Sequence, residues 1–284
     1  ILVADSGSSK TDWILSLSED KNTTFRTSGI NPFFLSEKEI IKLLQNVPEV
    51  QAYASDVSEI YFFGAGCSSP DRREIISNAL SKVFTSAFVN ADSDLLGSAF
   101  ATCGNSQGLT CILGTGSNIS YYNGHEVMDG KHGLGYVLGD EGSGTYFGKR
   151  LIRNHLYGLM PQELDEAFAQ QYRLTKEDVI QNLYQKPSPN YYLASFARFM
   201  SDHAGHPYIK ELLYQGFTEF IKTNVQSYPN FADDQCHFVG SIAFHFQEIL
   251  RKVCGDQGVK VGKILKHPIE DLFQFILERE TKNV

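Results

Sequence analysis

Two short segments of the chain follow the same pattern, an apolar strand that runs into a turn of glycine and hydroxyl residues. The first reads VADSGSSKT over residues 3–11, and the second reads ILGTGSNIS over residues 112–120. Their alignment superposes three pairs of residues: Ser6 and Thr115, Gly7 and Gly116, and Ser8 and Ser117. Two such turns in one chain indicate an internal duplication, with coincidence as the alternative for so short a match. The pattern predicts two related halves, each built around a strand–turn–strand unit.

Strand and helix signals alternate around both turns. In the first half the predicted strands are 1–5, 12–17, 22–28, 58–66 and 86–92, and the predicted helices are 36–47, 71–84 and 94–102. In the second half strands are predicted within 109–130 and at 236–240 and 258–265, the region 142–227 is mostly helical, and further helices are predicted at 241–254 and 268–281. This order predicts an α/β protein with two domains, residues 1–105 rejoined by the C-terminal helix 268–284, and residues 106–267 with helical insertions.

The composition narrows the class of protein. The 284 residues are 42% hydrophobic and 20% charged, with a net charge of −8. This balance fits a globular chain and argues against nucleic acid as a partner. The five cysteines form no CxxC pair, so a reduced, cytoplasmic protein is expected rather than a disulfide framework. No apolar run is long enough to span a bilayer, and the histidines form no HxxxH or HExxH set, so neither a membrane partner nor a zinc site is expected.

The first turn has the features of a phosphate and metal site. Gly7, Ser8 and Ser9 can form a nest of backbone N–H groups that suits phosphate oxygens, and Asp5 can hold a magnesium ion beside them. Lys10 does not complete a Walker motif, because no glycine directly precedes it and a strand rather than a helix follows. A plain β-hairpin turn with Asp5 as a turn former is the alternative for this stretch.

Two further turns favour the nucleotide interpretation. Gly114 and Gly116, in the stretch GTGSN, let the backbone approach a ligand closely. The dipeptide Gly240-Ser241 lies between a predicted buried strand and a helix N-terminus, where free N–H groups can meet the polar groups of a ligand. Three small-residue turns at strand ends predict a nucleotide site between two domains.

The motifs, taken in their order, resemble a known family. DSGSSKTDW, DLLGSAFA, ILGTGSN, GLGYVLGDEGSG and FVGSIAFHF follow one another along the chain. Together they resemble the BadF/BadG/BcrA/BcrD-type branch of the sugar kinase/Hsp70/actin superfamily, and within it the N-acetylglucosamine kinases and their bacterial relatives. The resemblance covers nearly the whole chain. It implies two ribonuclease H-like (actin-like ATPase) domains with an interdomain nucleotide cleft, and ATP and Mg²⁺ as cofactors.

The resemblance assigns ATP and its metal to three segments. Asp5 would lie towards Mg²⁺, and the first phosphate loop would consist of Ser6, Gly7, Ser8, Ser9, Lys10 and Thr11. The second phosphate loop corresponds to Gly114, Thr115, Gly116 and Ser117, and the adenosine motif to Gly240 and Ser241. The first loop reads GSSKT where many relatives have GGTKT, which narrows the room for phosphate but keeps hydroxyl donors.

Other segments correspond to the sugar site of the family. The implied sugar-binding residues are Asn31, Gly64, Ala65, Asn118, Gly133, Asp140, Glu141 and Gly144. Carboxylates suit a hydroxyl-rich ligand because their oxygens accept charge-assisted hydrogen bonds. The alternative for Asp140 and Glu141 is that they begin the next helix, where acidic residues suit the helix dipole. Leu134 and Tyr136 stand where the animal kinases have Trp and His, which leaves recognition of an acetamido group open.

A catalytic base is also implied. Phosphoryl transfer to a hydroxyl needs a group that accepts the hydroxyl proton, and the family carries it in a D-x-x-G-S/A segment that corresponds here to residues 94–98. Asp94 is therefore the implied base. A capping role at the start of a helix is the structural alternative for Asp94, and Asp92 is the rival carboxylate.

The activity implied by the resemblance is ATP-dependent transfer of the γ-phosphate to the 6-hydroxyl of N-acetylglucosamine or a close relative. Glucosamine, N-acetylmuramic acid and N-acetylmannosamine are alternative acceptors, because a few pocket contacts decide between them. A regulatory ATPase of the BadF type and a degenerate sugar-binding protein are the alternatives of other classes. The cysteines lack the spacing of an iron–sulfur cluster. The expected partners are an amino sugar and ATP; the oligomeric state stays open, with a homodimer as one candidate because dimers are common among such kinases.

Overall fold

The computed structural model describes residues 1–18, 21–128 and 132–282. They form two compact units, one from Ile1–Ser106, Tyr122–Val127 and His267–Val284, and the other from Gln107–Tyr121 and Met128–Lys266. Each unit has its own sheet and its own hydrophobic core, which confirms the predicted α/β class. Residues 129 and 130 of the predicted strand region and residues 283 and 284 of the predicted last helix lie outside the described part of the chain.

The first unit is built on a mixed sheet with the strand order β3-β2-β1-β4-β5. Its strands are β1 (Leu2–Ser6), β2 (Lys10–Ser18), β3 (Lys21–Ser28), β4 (Glu59–Gly64) and β5 (Phe88–Ser93). The helices described in this unit are α1 (Glu37–Gln45), α2 (Pro48–Tyr53), α3 (Pro70–Val83), α4 (Asp94–Cys103) and, from the end of the chain, α14 (Ile269–Lys282). Strand β1 pairs antiparallel with β2 and parallel with β4, and β4 pairs parallel with β5.

Both faces of this sheet are buried, which explains the continuous apolar run Leu2–Ala4 in β1. Leu2 and Ala4 belong to the same buried cluster as Ile40 of α1 and Ile76 of α3. Helix α4 covers the opposite face, while α14 packs against α4, β1 and β2. The last helix of the chain therefore completes the unit that contains the first strand.

The second unit repeats the plan with a larger set of helices. Its sheet has the order β10-β9-β6-β7-β8, formed by β6 (Gly108–Leu113), β7 (Ser117–Tyr122), β8 (Val127–Met128), β9 (Gln235–Val239) and β10 (Lys260–Leu265). Its described helices are α5 (Gly135–Leu138), α6 (Gly144–Leu156), α7 (Gln162–Tyr172), α8 (Lys176–Tyr184), α9 (Pro189–Ser195), α10 (Ala197–Asp202), α11 (Pro207–Thr223), α12 (Ser241–His245) and α13 (Gln247–Asp256). Strand β9 pairs parallel with both β6 and β10.

The two sheets have equivalent strand orders. Reading β8-β7-β6-β9-β10 against β3-β2-β1-β4-β5 matches every strand of the second unit with the strand of the first that has the same rank in the chain. The turn between β6 and β7 then corresponds to the turn between β1 and β2, the pair that the sequence alignment superposed. This topology favours duplication over coincidence.

Helix boundaries differ from the prediction at two buried phenylalanines. The predicted helix 241–254 is divided into α12 and α13 at Phe246, whose φ of −113° and ψ of 25° are not helical. The helical stretch after Pro189 is divided into α9 and α10 at Phe196, whose backbone stays in the right-handed helical region with a φ of −73° and a ψ of −16°. Both rings are almost fully buried, and at Phe246, but not at Phe196, the backbone leaves the helical conformation. Among the described residues, no helix has the length and apolar character needed to cross a bilayer.

Candidate active site

Three strands of the first unit end at the same edge of the sheet. Ser6 at the end of β1 pairs with Gly64 at the end of β4, and Gly64 pairs with Ser93 at the end of β5. Because the carboxyl ends of neighbouring parallel strands lie together, the β1–β2 turn, the turn after Gly64 and the start of α4 share one edge. This edge holds the residues that the resemblance assigned to the first phosphate loop, the metal and the base.

The β1–β2 turn is held by hydroxyl groups that face inward. The hydroxyls of Ser6 and Thr11 are 2.7 Å apart, and both side chains are 0% exposed. The backbone N–H of Ile30 donates to the Ser6 hydroxyl at 3.1 Å and to the Thr11 hydroxyl at 3.2 Å. These two side chains therefore shape the turn from inside. Gly7 and Ser9 are its exposed residues.

Gly29 supports the same turn from the side, a residue that the sequence reasoning did not single out. A Cβ atom at position 29 would lie 2.5 Å from the carbonyl oxygen of Gly7 and 2.6 Å from the carbonyl oxygen of Ser8. Only a residue without a side chain fits at this distance. The signal in the sequence was the dipeptide Ser28-Gly29 at the end of β3, which has no distinctive pattern by itself.

Lys10 is held by neighbouring side chains at the start of β2. Its ammonium group donates to Asp12 Oδ2 at 2.6 Å and to His267 Nδ1 at 2.8 Å. Arg26 donates to the other oxygen of Asp12 at 2.5 Å. Burial alone would raise the pKa of Asp12, but the hydrogen bonds from Lys10 and Arg26 outweigh burial and lower it. Lys10 is thus part of an ion-pair network on β2, and Asp12 and His267 are its additional members.

Asn31 joins the β1–β2 turn to the turn after β4. Its amide Nδ2 lies 3.5 Å from the Ser8 hydroxyl, and its Oδ1 accepts a hydrogen bond from the N–H of Phe33. Gly66, with a φ of 85°, packs against the Asn31 amide. Ala65 donates its N–H to the carbonyl of Ser6 at 2.8 Å. The residues at positions 31, 64 and 65, assigned to the sugar, are therefore brought together with the first phosphate turn.

Ser93, not Asp94, caps helix α4. The Ser93 hydroxyl accepts a hydrogen bond from the N–H of Leu96 at 3.3 Å, while Asp94 is the first residue of the helix. Burial raises the pKa of Asp94 to about 6, although hydrogen bonds from the N–H groups of Leu95 and of Asp94 itself act in the opposite direction. No cation among the described residues forms an ion pair with Asp94. The capping alternative for Asp94 is therefore wrong, and its carboxylate is available for chemistry.

The rival carboxylate is already engaged. Asp92 Oδ1 lies 3.3 Å from Arg73 Nη1 and accepts a hydrogen bond from the N–H of Ser93 at 2.7 Å. Asp92 is therefore engaged with Arg73 and the Ser93 N–H, whereas Asp94 has no ion-pair partner among the described residues. Of the two acidic residues around the end of β5, Asp94 is the better candidate for the base.

Asp5 lies near Asp94 in a region of concentrated negative charge. Burial raises the pKa of Asp5 to about 7, and the charges of Asp94 and Asp12 add to the effect while Lys10 opposes it. A divalent cation would relieve this repulsion, and Mg²⁺ is usually held by one or two carboxylates together with waters and substrate phosphates. The described residues contain no cluster of three or more metal-ligating side chains. This donor set fits a magnesium site that is completed by a phosphate ligand.

In the second unit, Asp140 connects the β6–β7 turn to helix α6. Its Oδ1 accepts from the N–H of Ser117 at 3.1 Å, and its Oδ2 accepts from the Thr145 hydroxyl at 3.2 Å. Asp140 is 8% exposed and has a φ of 62°, a left-handed conformation that non-glycine residues seldom adopt. A Cβ at Gly116 would lie 2.9 Å from Asp140 Oδ2. Helix α6 begins at Gly144 and is capped by Ser143, and Asp140 is buried before it. The alternative that Asp140 simply begins the helix is therefore wrong.

The other sugar-assigned residues of this unit form two contacts. Gly133, with a φ of 78°, packs against the Asn118 amide, since a Cβ there would lie 2.9 Å from both amide heteroatoms. Asn118 Oδ1 accepts the N–H of Ile119. Glu141 Oε2 accepts a hydrogen bond from Asn224 Nδ2 at 3.2 Å. The structure therefore groups Asn118 with Gly133, and it adds Asn224, which the sequence did not indicate.

A pocket of about 320 Å³ in the second unit collects most of the remaining nucleotide-assigned residues. Gly114, Thr115 and Ser241 line it, and Gly240, with a φ of 122°, packs directly behind it against the carbonyl of Leu113. Gly144 also lines this pocket, and its N–H donates to the carbonyl of Gly114 at 2.8 Å. This position favours a nucleotide contact for Gly144 over the sugar contact assigned to it.

Helices supply the other walls of this pocket, and sequence reasoning did not identify them. Tyr191 of α9, Arg198 of α10 and His245 of α12 contribute polar groups, and Phe246 contributes an apolar surface. Burial and the charge of Lys266 lower the pKa of His245, which favours the neutral imidazole. Among the charged side chains that line the pocket, Arg198 forms no ion pair with any described residue.

No family model and no curated protein matches the chain, whereas solved structures do. A Porphyromonas gingivalis protein named "putative N-acetylglucosamine kinase" is 40% identical, with 99% of each chain covered and a TM-score of 0.92. A Chromobacterium violaceum protein of the same name is 17% identical, with coverage of 97% and 98% and a TM-score of 0.69. The ROK family glucokinase of Streptomyces griseus, solved with glucose and AMPPNP, is 12% identical, with coverage of 95% and 97% and a TM-score of 0.59.

The two α/β units with equivalent sheets define the class, the two-domain fold of sugar kinases in the sugar kinase/Hsp70/actin superfamily. The two less similar structures support the fold alone. The similarity to the Porphyromonas gingivalis protein extends over nearly the full length of both chains. The chain belongs to the N-acetylglucosamine kinase-like family of this superfamily.

Proposed function

We propose that the protein is an ATP-dependent kinase that transfers the γ-phosphate to the 6-hydroxyl of an amino sugar, with N-acetylglucosamine as the first candidate acceptor. The observation that carries the proposal is the state of Asp94. Its carboxylate sits at the first position of α4, does not cap the helix, and has no ion-pair partner among the described residues. A pKa of about 6 suits a general base that works near neutral pH.

In this mechanism Asp94 accepts the proton of the sugar hydroxyl as that oxygen attacks the γ-phosphorus of ATP. The new P–O bond forms at the sugar oxygen, the bond to the β-phosphate oxygen breaks, and ADP leaves with the electron pair. Gly7, Ser8 and Ser9 would contact phosphate oxygens at the tip of the first turn, whereas the Ser6 and Thr11 hydroxyls bond each other inside it and the Gly7 N–H donates to the Lys10 carbonyl at 3.0 Å. Lys10 contributes positive charge from its position between Asp12 and His267.

Asp5 would hold Mg²⁺, directly or through water. The ion, when bound, neutralises phosphate charge, which is the usual contribution of magnesium to phosphoryl transfer. Burial is the main cause of the raised pKa of Asp5, and the charges of Asp94 and Asp12 add to it, so a cation bound beside Asp5 would stabilise its ionised form. Asp12 is a less suitable ligand for Mg²⁺ than Asp5, because the Asp12 carboxylate is already paired with Lys10 and Arg26.

The pocket of the second unit would receive the nucleoside part of ATP. Its volume of about 320 Å³ lies at the lower end of the range for small-molecule sites. Gly114 and Thr115, which the resemblance assigns to phosphate, line it, and so does Ser241 at the start of α12. Arg198 offers a charge-assisted hydrogen bond to a phosphate or ribose oxygen.

The sugar would contact Asn118, Asp140 and Glu141 of the second unit; Asn31 of the first unit stays a candidate on the resemblance alone. The amide of Asn118 and the carboxylate of Glu141 have exposed surface, whereas Asp140 is mostly buried and would offer the remaining acceptor capacity of its oxygens. The name of the Porphyromonas gingivalis protein supports N-acetylglucosamine as the acceptor. Glucosamine, N-acetylmannosamine and N-acetylmuramic acid are the competing acceptors.

The test is coupled measurement of ADP release with Mg·ATP and a panel of sugars: N-acetylglucosamine, glucosamine, N-acetylmannosamine, N-acetylmuramic acid and glucose. We expect ADP release that depends on sugar, with N-acetylglucosamine giving the highest kcat/KM, and a phosphate ester at the 6-position of the product by ³¹P and ¹H NMR. ADP release that no sugar changes would instead support the regulatory ATPase. A preference for another sugar of the panel would support the kinase activity and would identify that sugar as the acceptor in place of N-acetylglucosamine.

A further inference from the structure

Thr145, the second residue of helix α6, contacts two residues of the second unit that the resemblance assigned to different ligands. Its backbone N–H donates to the carbonyl of Thr115 at 2.9 Å, and its hydroxyl donates to Asp140 Oδ2 at 3.2 Å. Thr115 was assigned to phosphate and Asp140 to the sugar. Thr145 itself was assigned to neither ligand, and it is 0% exposed.

Backbone hydrogen bonds hold the β6–β7 turn against the start of α6. The first N–H groups of a helix have no acceptor inside the helix. Here the N–H of Gly144 donates to the carbonyl of Gly114 at 2.8 Å, and the N–H of Thr145 donates to the carbonyl of Thr115. The turn therefore supplies acceptors that the helix start needs, and these two contacts do not involve the Thr145 side chain.

The hydroxyl groups at the start of α6 form a line of hydrogen bonds with one direction. An ionised carboxylate can only accept, so the hydrogen of the Thr145 hydroxyl points to Asp140 Oδ2. The Thr145 oxygen then accepts from the Ser143 hydroxyl, 2.8 Å away, and the Ser143 oxygen accepts from the N–H of Tyr146 at 3.3 Å. Ser143 and Thr145 are fully buried. Each hydrogen bond in such a line polarises the next, and the line ends on Asp140.

The protein fixes the Asp140 carboxylate through both of its oxygens. Oδ1 accepts from the N–H of Ser117 at 3.1 Å, and Oδ2 accepts from the Thr145 hydroxyl. A carboxylate has about four acceptor positions. The described residues fill one position on each oxygen, so the remaining positions can accept from the hydroxyl groups of a sugar.

The charge of Asp140 depends on the same hydroxyl. Burial raises the pKa of Asp140, whereas the hydrogen bonds from the Ser117 N–H and the Thr145 hydroxyl lower it. The charge of Lys149 also lowers this pKa, and the charge of Glu141 raises it. Without the Thr145 hydroxyl, Asp140 would therefore be a buried acid that is harder to ionise.

We propose that Thr145 is a positioning residue of the sugar site, whose hydroxyl orients the Asp140 carboxylate for the sugar hydroxyls. The inference rests on the proposed function, in which Asp140 contacts the acceptor sugar. The two polar groups of Thr145 then have separate roles, since its backbone N–H holds the phosphate turn and its hydroxyl holds the sugar-binding carboxylate. A variant that lacks only the hydroxyl should affect the sugar and ATP unequally.

Thr145→Val is this variant, because it removes the hydroxyl but keeps the backbone N–H and nearly the same side-chain shape. We expect it to raise the KM for the preferred sugar of the panel by at least about tenfold, since Asp140 loses a donor and Ser143 loses an acceptor. The KM for ATP and kcat should stay within about threefold of their native values. Thr145→Ser restores a hydroxyl and should return the KM for the sugar to within about threefold of native.

Thr110→Val is the matched control. Thr110 of β6 is likewise 0% exposed, but its hydroxyl has no hydrogen-bond partner among the described residues. The same substitution should therefore leave both KM values close to those of the native protein. Circular dichroism spectra of all three variants verify that each is folded.

A second measurement does not depend on kinase activity. In protein labelled with ¹³C at its aspartate carboxyl groups, the resonance of Asp140 is assigned by its loss in Asp140→Asn and is followed as the pH changes. The midpoint of its titration should lie at higher pH in Thr145→Val than in the native protein, in Thr145→Ser or in Thr110→Val. If no sugar stimulates ADP release by the native protein, the proposed function is wrong, and this midpoint decides whether Thr145 controls the carboxylate.

Four results would each overturn the positioning role of Thr145. They are a native KM for the sugar in Thr145→Val, an equal rise of the KM for the sugar and the KM for ATP, an equal loss in Thr145→Ser and Thr145→Val, and an unchanged titration midpoint of Asp140 in Thr145→Val.

Discussion

Gly29 lies so close to Gly7 that a Cβ at position 29 would come within 2.5 Å of the Gly7 carbonyl oxygen. The end of β3 therefore supports the β1–β2 turn, which is separated from it in sequence by the whole of β2 and β3. Real Cβ atoms essentially never approach an oxygen this closely, so any side chain at position 29 must displace the backbone of the turn.

The first prediction follows from this contact. Gly29→Ala should move Gly7 and Ser8 and raise the KM for ATP by at least about tenfold, because the turn that we propose holds the phosphates changes its shape. The KM for the sugar should change much less. Gly255→Ala is the control, because Gly255 lies in α13 with open space around it. If Gly29→Ala and Gly255→Ala had the same KM for ATP, Gly29 would have no role in phosphate binding.

The second prediction concerns the base. Asp94→Asn should lower kcat by about a thousandfold, since general base catalysis usually accelerates a reaction by a factor of about 10² to about 10⁴. The affinity for ATP, measured by equilibrium binding, should stay close to that of the native protein. Asp92→Asn is the matched variant, and we expect it to keep most of the activity because Asp92 pairs with Arg73. A larger loss in Asp92→Asn than in Asp94→Asn would reverse the assignment.

The third prediction is the pH dependence of turnover. The base must be unprotonated to accept the hydroxyl proton, and the pKa of Asp94 is about 6. We therefore expect kcat to be constant above about pH 7 and to fall as the pH decreases through about 6. Measurement of kcat at saturating sugar and Mg·ATP between about pH 5 and about pH 8 checks the position of this acidic limb. A kcat independent of pH across that interval would contradict the role of Asp94 as base.

The fourth prediction concerns stability without metal. The pKa of Asp5 rises from 3.8 to about 7 on folding, so the folded state binds more protons than the unfolded state between these values. The contribution of Asp5 to stability is then greatest at low pH and decreases as the pH rises from about 4 to about 7. Asp5→Asn should raise the Tm at about pH 8 in EDTA and should abolish the additional rise that Mg²⁺ with ADP gives the native protein.

Thermal unfolding followed by circular dichroism at the same pH, with EDTA or with Mg²⁺ and ADP, makes this comparison. Asp56→Asn is a suitable control, because Asp56 is an exposed acid of the same unit. A lower Tm of Asp5→Asn in EDTA would mean that the Asp5 carboxylate stabilises the unliganded protein, contrary to the sign expected from its raised pKa.

The fifth prediction concerns the nucleotide pocket. Arg198→Gln should raise the Kd for ATP by about tenfold, which corresponds to the loss of about 1.4 kcal/mol. The kcat at saturating ATP and the KM for the sugar should stay near their native values. Arg153→Gln on the exposed side of α6 is the control for a loss of positive charge in the same unit. Equal ATP affinities in the two variants would exclude Arg198 from the nucleotide site.

Much of the fold was predictable because strand signals are local. The apolar run of β1, the two small-residue turns and the helical pattern of α4 are each readable within a few residues, and the structure confirms the strands and the helix at these places. The α/β class and the membership of the sugar kinase superfamily follow from the same motifs. The predicted helix 241–254 was wrong at Phe246, where the backbone of a buried aromatic residue leaves the helical conformation.

The candidate site was only partly predictable because its supporting contacts are distant in sequence. Lys10 meets His267 from the far end of the chain, and Gly29 meets a turn on the other side of a hairpin. Tyr191 and Arg198 reach their pocket on short helices whose place depends on tertiary packing. The roles of Ser93 and Asp94 could not be separated from sequence, since either residue type can cap a helix.

Helix α14 has a consequence for how the protein is made. The unit that contains the N-terminal strand needs this last helix to cover β1 and β2, and Leu272, Phe273 and Ile276 bury completely when it does. During synthesis the first sheet therefore emerges early but keeps an apolar face uncovered until α14 has left the ribosome. The second unit has all its elements before that point, so we expect it to be the first to fold stably on the nascent chain.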